Sequence, residues 1–373
     1  MQISAIKETN ISEQRVALSP ESIKLFERLG FEVIIEEDAG ALSGYTNNQY
    51  KNSGGKIVSR DKCLNADVIL CVKMPQIEDL EKLKEFSILI GILNPYQNQK
   101  YFEILNKRKI SACCMELIPR ISRAQSMDVL SSQANLAGYR SVIDAAEQFN
   151  KAFPMMMTAA GRVNPAKVMV LGVGVAGLQA IATAKRLGAV VSATDVRPTT
   201  KEQVESLGGK FIMVEDEELK QAETSGGYAK EMSENYKKKQ AKLIAETIAK
   251  QDIVICTALI PGKKAPILIS KEMVESMTPG SVVIDLAVES GGNCPLSRVG
   301  EIVDHNSIKI VGYANVPGRV AKDSSALYAK NIFNFLTLII NKEDQKINLK
   351  WEDEIINAVV LTNDGKLRLD EFN

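Results

Sequence analysis

The chain has 373 residues, 45% of them hydrophobic and 25% charged, which is more than one hydrophobic core usually organises, so two domains of ordinary size are expected. Its 46 Lys and Arg balance 46 Asp and Glu, and this leaves no electrostatic footprint for nucleic-acid binding. No apolar run approaches the roughly 18 residues of a membrane span, the first eight residues lack the basic start and apolar stretch of a secretion signal, and six cysteines without C-x-x-C spacing read as reduced, buried thiols rather than a metal site.

Short apolar strands alternate with amphipathic helices along nearly the whole chain. Strands are expected near residues 2–7, 32–36, 68–72, 88–92 and 110–113, with helices such as 20–29 and 97–106 between them. This is an α/β unit without a glycine fingerprint. A long helix over 127–149 leads to a second unit that begins near Ala166, with strands at 168–171, 190–194, 210–214, 253–257, 282–286 and 309–312. That alternation describes a doubly wound parallel sheet. A helix over 324–340 returns the chain to the first unit, where 358–361 and 367–369 flank Asn363-Asp364-Gly365 as a hairpin. The expected division is a discontinuous first domain, residues 1–126 plus 324–373, and a second domain over 127–323. The fold class is therefore α/β, with two Rossmann-like doubly wound parallel sheets. Residues 215–236 interrupt the pattern with Gly226-Gly227-Tyr228, read either as a surface loop or as a lid whose Tyr228 closes on a ligand. His305, the only histidine, falls in a polar stretch expected to be a solvent-exposed turn.

One stretch carries chemistry of its own. A buried strand runs into Gly172-x-Gly174-x-x-Gly177, a helix follows, and a second strand ends in Asp195 at about the spacing of a dinucleotide-binding unit. Gly172 permits the tight turn, Gly174 lets a pyrophosphate approach the backbone beside Val175 and Ala176, and Gly177 lets helix and strand pack closely. Asp195 is placed to accept from the adenosine ribose. Arg197, two residues on past Val196, could hold a 2′-phosphate, but the Asp195 carboxylate would repel that group, so NAD(H) is expected rather than NADP(H).

The segment Arg120-Ile121-Ser122-Arg123-Ala124-Gln125-Ser126-Met127-Asp128, continuing through Ser131 and Gly138 to Arg140, resembles the signature of the NAD(H)-binding component of proton-translocating nicotinamide nucleotide transhydrogenases. The glycine loop, residues 226–232, the run Thr257-Ala258-Leu259-Ile260-Pro261-Gly262 and Gly291-Gly292-Asn293-Cys294 match the same family. The resemblance implies a homodimeric component that binds NAD(H) in a cleft between its two domains. It further implies direct hydride transfer from NADH to NADP⁺ held on a partner subunit, coupled to proton translocation by membrane-spanning partner subunits. Because the sequence ends at Asn373 without membrane segments, it resembles the version encoded as a separate first alpha subunit, expected in the cytoplasm and peripherally associated with the inner membrane through those partners.

Carried over position by position, the resemblance places cofactor contacts on Arg120, Gln125, Asp128 and Ser131, on the glycine loop with Val175 and Ala176, on Asp195, Val196 and Arg197, on Tyr228, and on Thr257, Ala258 and Leu259. Gln125, Asp128 and Ser131 would aim the reacting ring. An amide, a carboxylate, a hydroxyl and a guanidinium are what a carboxamide, a ribose and a pyrophosphate need. Plainer roles stay open: Arg120 as a surface ion pair, and Asp128 as the cap of the helix beginning near Met127.

Alanine dehydrogenase is the nearest alternative, similar in Arg15-Val16-Ala17-Leu18-Ser19-Pro20, Lys73 and the glycine loop. Two positions depart from it: residues 88–95 contain no histidine to act as the acid, and Glu289 stands where an aspartate is expected. Keto-acid reduction needs a proton donor as well as hydride, whereas transfer between two nicotinamides does not. A non-catalytic NAD redox sensor would share the fold and predict no turnover.

Overall fold

The computed structural model describes residues 1–214, 234–259, 263–341 and 344–368. Strands β1 (Gln2–Ala5), β2 (Glu32–Glu36), β3 (Lys56–Val58), β4 (Val68–Lys73), β5 (Ile88–Ile92) and β6 (Ser111–Cys114) come first. They are followed by β7 (Met156–Thr158), β8 (Gly161–Val163), β9 (Lys167–Leu171), β10 (Val190–Thr194), β11 (Lys210–Phe211), β12 (Ile253–Cys256), β13 (Val282–Asp285), β14 (Ile302–His305) and β15 (Ile308–Val311). Last are β16 (Val360–Asn363) and β17 (Lys366–Leu367). Two compact units result: Met1–Gln133 together with the chain from Pro317 onward, and Ala134–Val316.

The first unit is built on the sheet β17-β16-β6-β5-β4-β1-β2-β3. Strands β1 to β6 run parallel, while β16 adds antiparallel to β6 with Val360 opposite Cys113, and β17 folds back on β16. Parallel strands covered on both faces read as unbroken apolar runs, and Val68-Ile69-Leu70-Cys71-Val72 is fully buried along its length. Strand alternation explains the vicinal cysteines: Cys113 packs in one core cluster and Cys114 in the cluster on the opposite face. All six thiols are buried, and burial pushes Cys63 and Cys113 up to about 12, so none is a ready nucleophile. Helix Ala321–Ile339 contributes Tyr328, Ile332, Phe335, Leu336 and Ile339 to this unit's core.

The second unit carries the sheet β11-β10-β9-β12-β13-β15-β14, parallel except for β14. Strand order reverses at β9, with β10 and β11 to one side and β12 and β13 to the other. In open α/β sheets that reversal leaves a crevice at the carboxyl ends of the strands, where ligands bind. Gly172, after β9, and Thr257, after β12, both lie there.

Three elements depart from expectation. Strand β3 and the separate hairpin β7–β8 were not anticipated, and His305 is not in an exposed turn. Asn306 and Ser307 take positive φ of 53° and 60° and form a two-residue turn, so β14 folds back on β15 as an edge strand ending at His305. There the half-buried imidazole pairs with Glu275 at 2.9 Å.

Candidate functional site

In the second unit the glycine loop has the steric form that a phosphate cradle needs. Gly172 sits at φ +96°, and a Cβ there would lie 2.8 Å from Thr257 Oγ1. A Cβ on Gly177 would come 2.0 Å from the Gly172 carbonyl oxygen, which fixes glycine where helix Val175–Arg186 crosses its own entry loop. Gly174, immediately before that helix, is different: a Cβ there meets nothing within 4 Å. The open space lies in front of the helix N-terminus, with Val175 exposed and Ala176 half-buried, so the N–H groups of the first turn are available to an anion.

Two supports of this loop were not given a role by sequence reasoning. Gly138, in helix Val129–Gln148, faces the carbonyl of Ala176, and a Cβ there would sit 2.1 Å from that oxygen. Only glycine permits so close an approach. The other support is Asn293. Gly291 and Gly292, at φ +97° and +78°, wrap the chain around the buried Asp285 carboxylate, which accepts from the backbone N–H of Asn293 at 2.9 Å and of Cys294 at 3.1 Å. Asn293 is thereby aimed so that its amide donates to the carbonyls of Ala258 and Pro266, each at 2.8 Å. Paired left-handed glycines before an asparagine were the available signal. Thr257 closes the arrangement by donating its hydroxyl to the Gly172 carbonyl at 2.9 Å, while Leu259 stays exposed.

Asp195 follows β10 in the same crevice. Its carboxylate accepts from the Val173 N–H at 2.6 Å and from the Arg197 N–H at 2.9 Å, and the Arg197 guanidinium lies against both oxygens. Burial alone would push this carboxyl up, but those donors outweigh it and hold it below the usual range. Val196 is 82% exposed between them. The expected groups Gly172, Gly174, Val175, Ala176, Gly177, Asp195, Val196, Arg197, Thr257, Ala258 and Leu259 thus gather at one end of the second unit's sheet, and their donors and open space fit a dinucleotide.

The first unit carries the remaining candidates on one segment. Residues Ser122–Met127 form a 3₁₀ helix whose side chains at i and i+3 share a face, and Ala124 and Met127 are accordingly buried. Gln125 points outward instead, and neither it nor Arg120 has a side-chain partner among the described residues. Asp128 does serve as a cap: its carboxylate accepts from the Ser131 N–H at 2.9 Å and the Ser131 hydroxyl at 2.6 Å at the start of helix Val129–Gln148. Tyr228, Ile260, Pro261 and Gly262 lie outside the described residues.

Beneath this segment runs a buried polar cluster. Arg15, 3% exposed, donates to Glu13 from Nε and Nη2, both at 2.7 Å, and to Gln133 Oε1 at 2.7 Å. Glu8 accepts from the backbone of Val72 and Lys73, and Glu116 from Asn94. Burial raises both carboxyls to about 7 despite those N–H donors. Glu289 accepts from the Asn315 N–H at 2.8 Å.

Comparison with known proteins agrees with this architecture. Residues 4–137 match the N-terminal domain of the alanine dehydrogenase/PNT family and residues 141–370 its C-terminal domain. The first of the separately encoded pieces of NAD(P) transhydrogenase subunit alpha in Rhodospirillum rubrum is 56% identical, over 98% of this chain and 97% of its own. The solved structure of transhydrogenase from Sinorhizobium meliloti superposes with a TM-score of 0.91 at 48% identity, covering 98% of this chain and all of that one. Alanine dehydrogenase 1 of Staphylococcus aureus is 30% identical over 92% of this chain and 88% of its own. The chain belongs to the alanine dehydrogenase/PNT family, on the side of its NAD(P) transhydrogenase alpha subunits.

Proposed function

We propose that this chain is the NAD(H)-binding component of a proton-translocating transhydrogenase, and the observation that carries the reading is the glycine loop with open space at Gly174 and an acid at Asp195. When bound, NADH supplies a hydride, which passes directly to NADP⁺ on a partner subunit while membrane-spanning partners conduct protons. The chain's own work is to bind and aim. The N–H groups at the start of helix Val175–Arg186 hold the pyrophosphate, Asp195 accepts from the ribose, and Gln125, Asp128 and Ser131 fix the nicotinamide, with Arg120 beside them. Asp128 and Ser131 are already locked together, which suits an orienting surface rather than an acid or base. Tyr228 is assigned to cover the bound ring and exclude water.

Absence of a proton donor favours hydride exchange over keto-acid reduction. The only histidine, His305, sits on the second unit's edge strand in a pair with Glu275. A homodimer at the inner membrane's cytoplasmic face is part of the same reading. It is supported by hairpin β7–β8, which joins neither main sheet and exposes Met155 and Met157 at 52% and 72%, an apolar patch suited to a second copy. No helix among the described residues is long and apolar enough to cross a membrane.

The test is to mix the purified chain with an NADP(H)-binding transhydrogenase subunit and follow hydride exchange from labelled NADH. Exchange that requires both chains supports the reading. Oxidative deamination of alanine by this chain alone would replace it with the dehydrogenase, and NADH binding without exchange would leave a redox sensor.

A further inference from the structure

The pose of residues 122–131 is not set by that segment's own backbone. A 3₁₀ helix makes poor hydrogen bonds, and the turn that leaves it, Asp128 N–H to the Gln125 carbonyl, spans 3.4 Å. Ala124 and Met127 peg the segment to the core and fix its depth. Apolar pegs do not fix rotation about their own axis, however, and it is rotation that decides where Gln125 points.

Helix Ala321–Ile339 supplies what the pegs lack. Asn331 and Asn334, one turn apart on the same face, both donate to the single carbonyl of Ser126, at 2.8 and 2.9 Å. A carbonyl oxygen has two lone pairs, and here both are occupied, so the peptide plane between Gln125 and Met127 is held from two directions. Asn331 uses its other end as well: its Oδ1 accepts the Ser132 hydroxyl at 2.7 Å. One buried amide thus ties down both flanks of Asp128. Ser132 also meets Gln133, which joins the buried Arg15–Glu13 pair, so the clamp is anchored to the least exposed charges in the unit. Between fully buried Tyr328, Ile332 and Phe335, an asparagine 7% exposed is a poor choice for packing or helix propensity. Its polar contacts to the segment account for it.

We propose that Asn331 and Asn334 are positioning residues that hold the Ser126 carbonyl and thereby aim Gln125, Asp128 and Ser131 at the reacting ring. The identity of that ring rests on the transhydrogenase reading; the clamp itself does not. Hydrogen exchange of the ligand-free chain addresses the clamp first. In Asn334→Ala, peptides covering 122–131 should exchange at least tenfold faster than wild type while those covering β4 are unchanged. Asn334 is half-buried, so this variant decides the matter even where Asn331→Ala fails to fold. Hydride exchange with the NADP(H)-binding partner and NADH titration then separate aiming from folding: Asn334→Ala should lose at least tenfold in rate with less than threefold change in NADH affinity, and Asn334→Gln, which keeps the amide, should recover most of the rate. Unaltered exchange in 122–131, a uniform increase across the unit, or equal losses in rate and affinity would overturn the proposal. A wild-type chain inactive with its partner would overturn the transhydrogenase reading, and the hydrogen-exchange result would still decide the clamp.

Discussion

The Arg197 guanidinium lies flat against the Asp195 carboxylate, with Nε 2.9 Å from one oxygen and Nη2 3.0 Å from the other. The group that could have welcomed a 2′-phosphate is therefore occupied by the group that excludes it. Asp195→Ala should weaken NADH by about 1–3 kcal/mol, the cost of a lost charge-assisted bond. It should also release Arg197, so the preference for NADH over NADPH should fall at least tenfold. Titration of both coenzymes against Asp195→Ala and the double variant Asp195→Ala/Arg197→Ala checks this, since the double variant should not show the gain in NADPH.

The loop glycines should separate binding from stability. Gly174→Ala projects a methyl into open space at φ −84°, where alanine is comfortable, so thermal stability should hold or rise slightly while NADH affinity drops about tenfold. Gly138→Ala drives a methyl to 2.1 Å from the Ala176 carbonyl and should cost about 1–3 kcal/mol of stability as the helices part. Calorimetry alongside NADH titration distinguishes the two, and similar stability losses in both would contradict this account of the loop.

Glu8 and Glu116 give the first unit a pH dependence opposite to that of a salt-bridged acid. Folded, they titrate at about 7 against an ordinary 4.5, so between those values the folded chain keeps protons that the unfolded chain has released. Their contribution is complete below about pH 4.5 and is lost as pH rises through 7, on the order of 3 kcal/mol per group. Glu8→Gln and Glu116→Gln should each flatten that decline. The only tryptophan, Trp351, lies in this unit, so denaturant unfolding followed by its fluorescence from pH 5 to 8.5 measures the slope. Variants with the wild-type slope would refute the assignment.

Strands β2 and β5 stand where the apolar runs put them, and the order of strands around β9 follows from the glycine motif and the alternation of elements. Less legible was whatever depended on a partner distant in sequence. Gly138 is one more helix residue until Ala176 is placed opposite it, and Asn331 is one polar residue in an apolar helix until Ser126 arrives. Strand β3 has only three residues, too few to show a period, and β14 hid because an Asn-Ser turn looks like any polar loop. Asp128 was legible in both of its readings, and its bond to Ser131 shows that the capping role is filled.

Chemistry without an acid leads to one more expectation. His305→Ala removes a pair at the sheet edge and should leave partner-dependent hydride exchange unchanged. In deuterated water the reduced NADPH should carry no solvent deuterium at the transferred position. Mass spectrometry of the product decides, and incorporated deuterium would mean that a proton-exchanging intermediate intervenes.

The return of the chain to β6 has a bearing on biogenesis. Strand β6 is synthesised early, yet its neighbour β16 is supplied only after the entire second unit has emerged, with Cys113 waiting for Val360. Helix Ala321–Ile339, which fills the same core, is equally late. During translation the second unit has all its strands available first, while the first unit holds an open sheet edge and an uncovered apolar face, the state most prone to aggregate or recruit a chaperone. The long loop itself adds little entropy cost, because closure grows only logarithmically with length. The delay is one of timing, and slowing the ribosome over the last fifty codons should lower the yield of folded protein more than slowing it anywhere earlier.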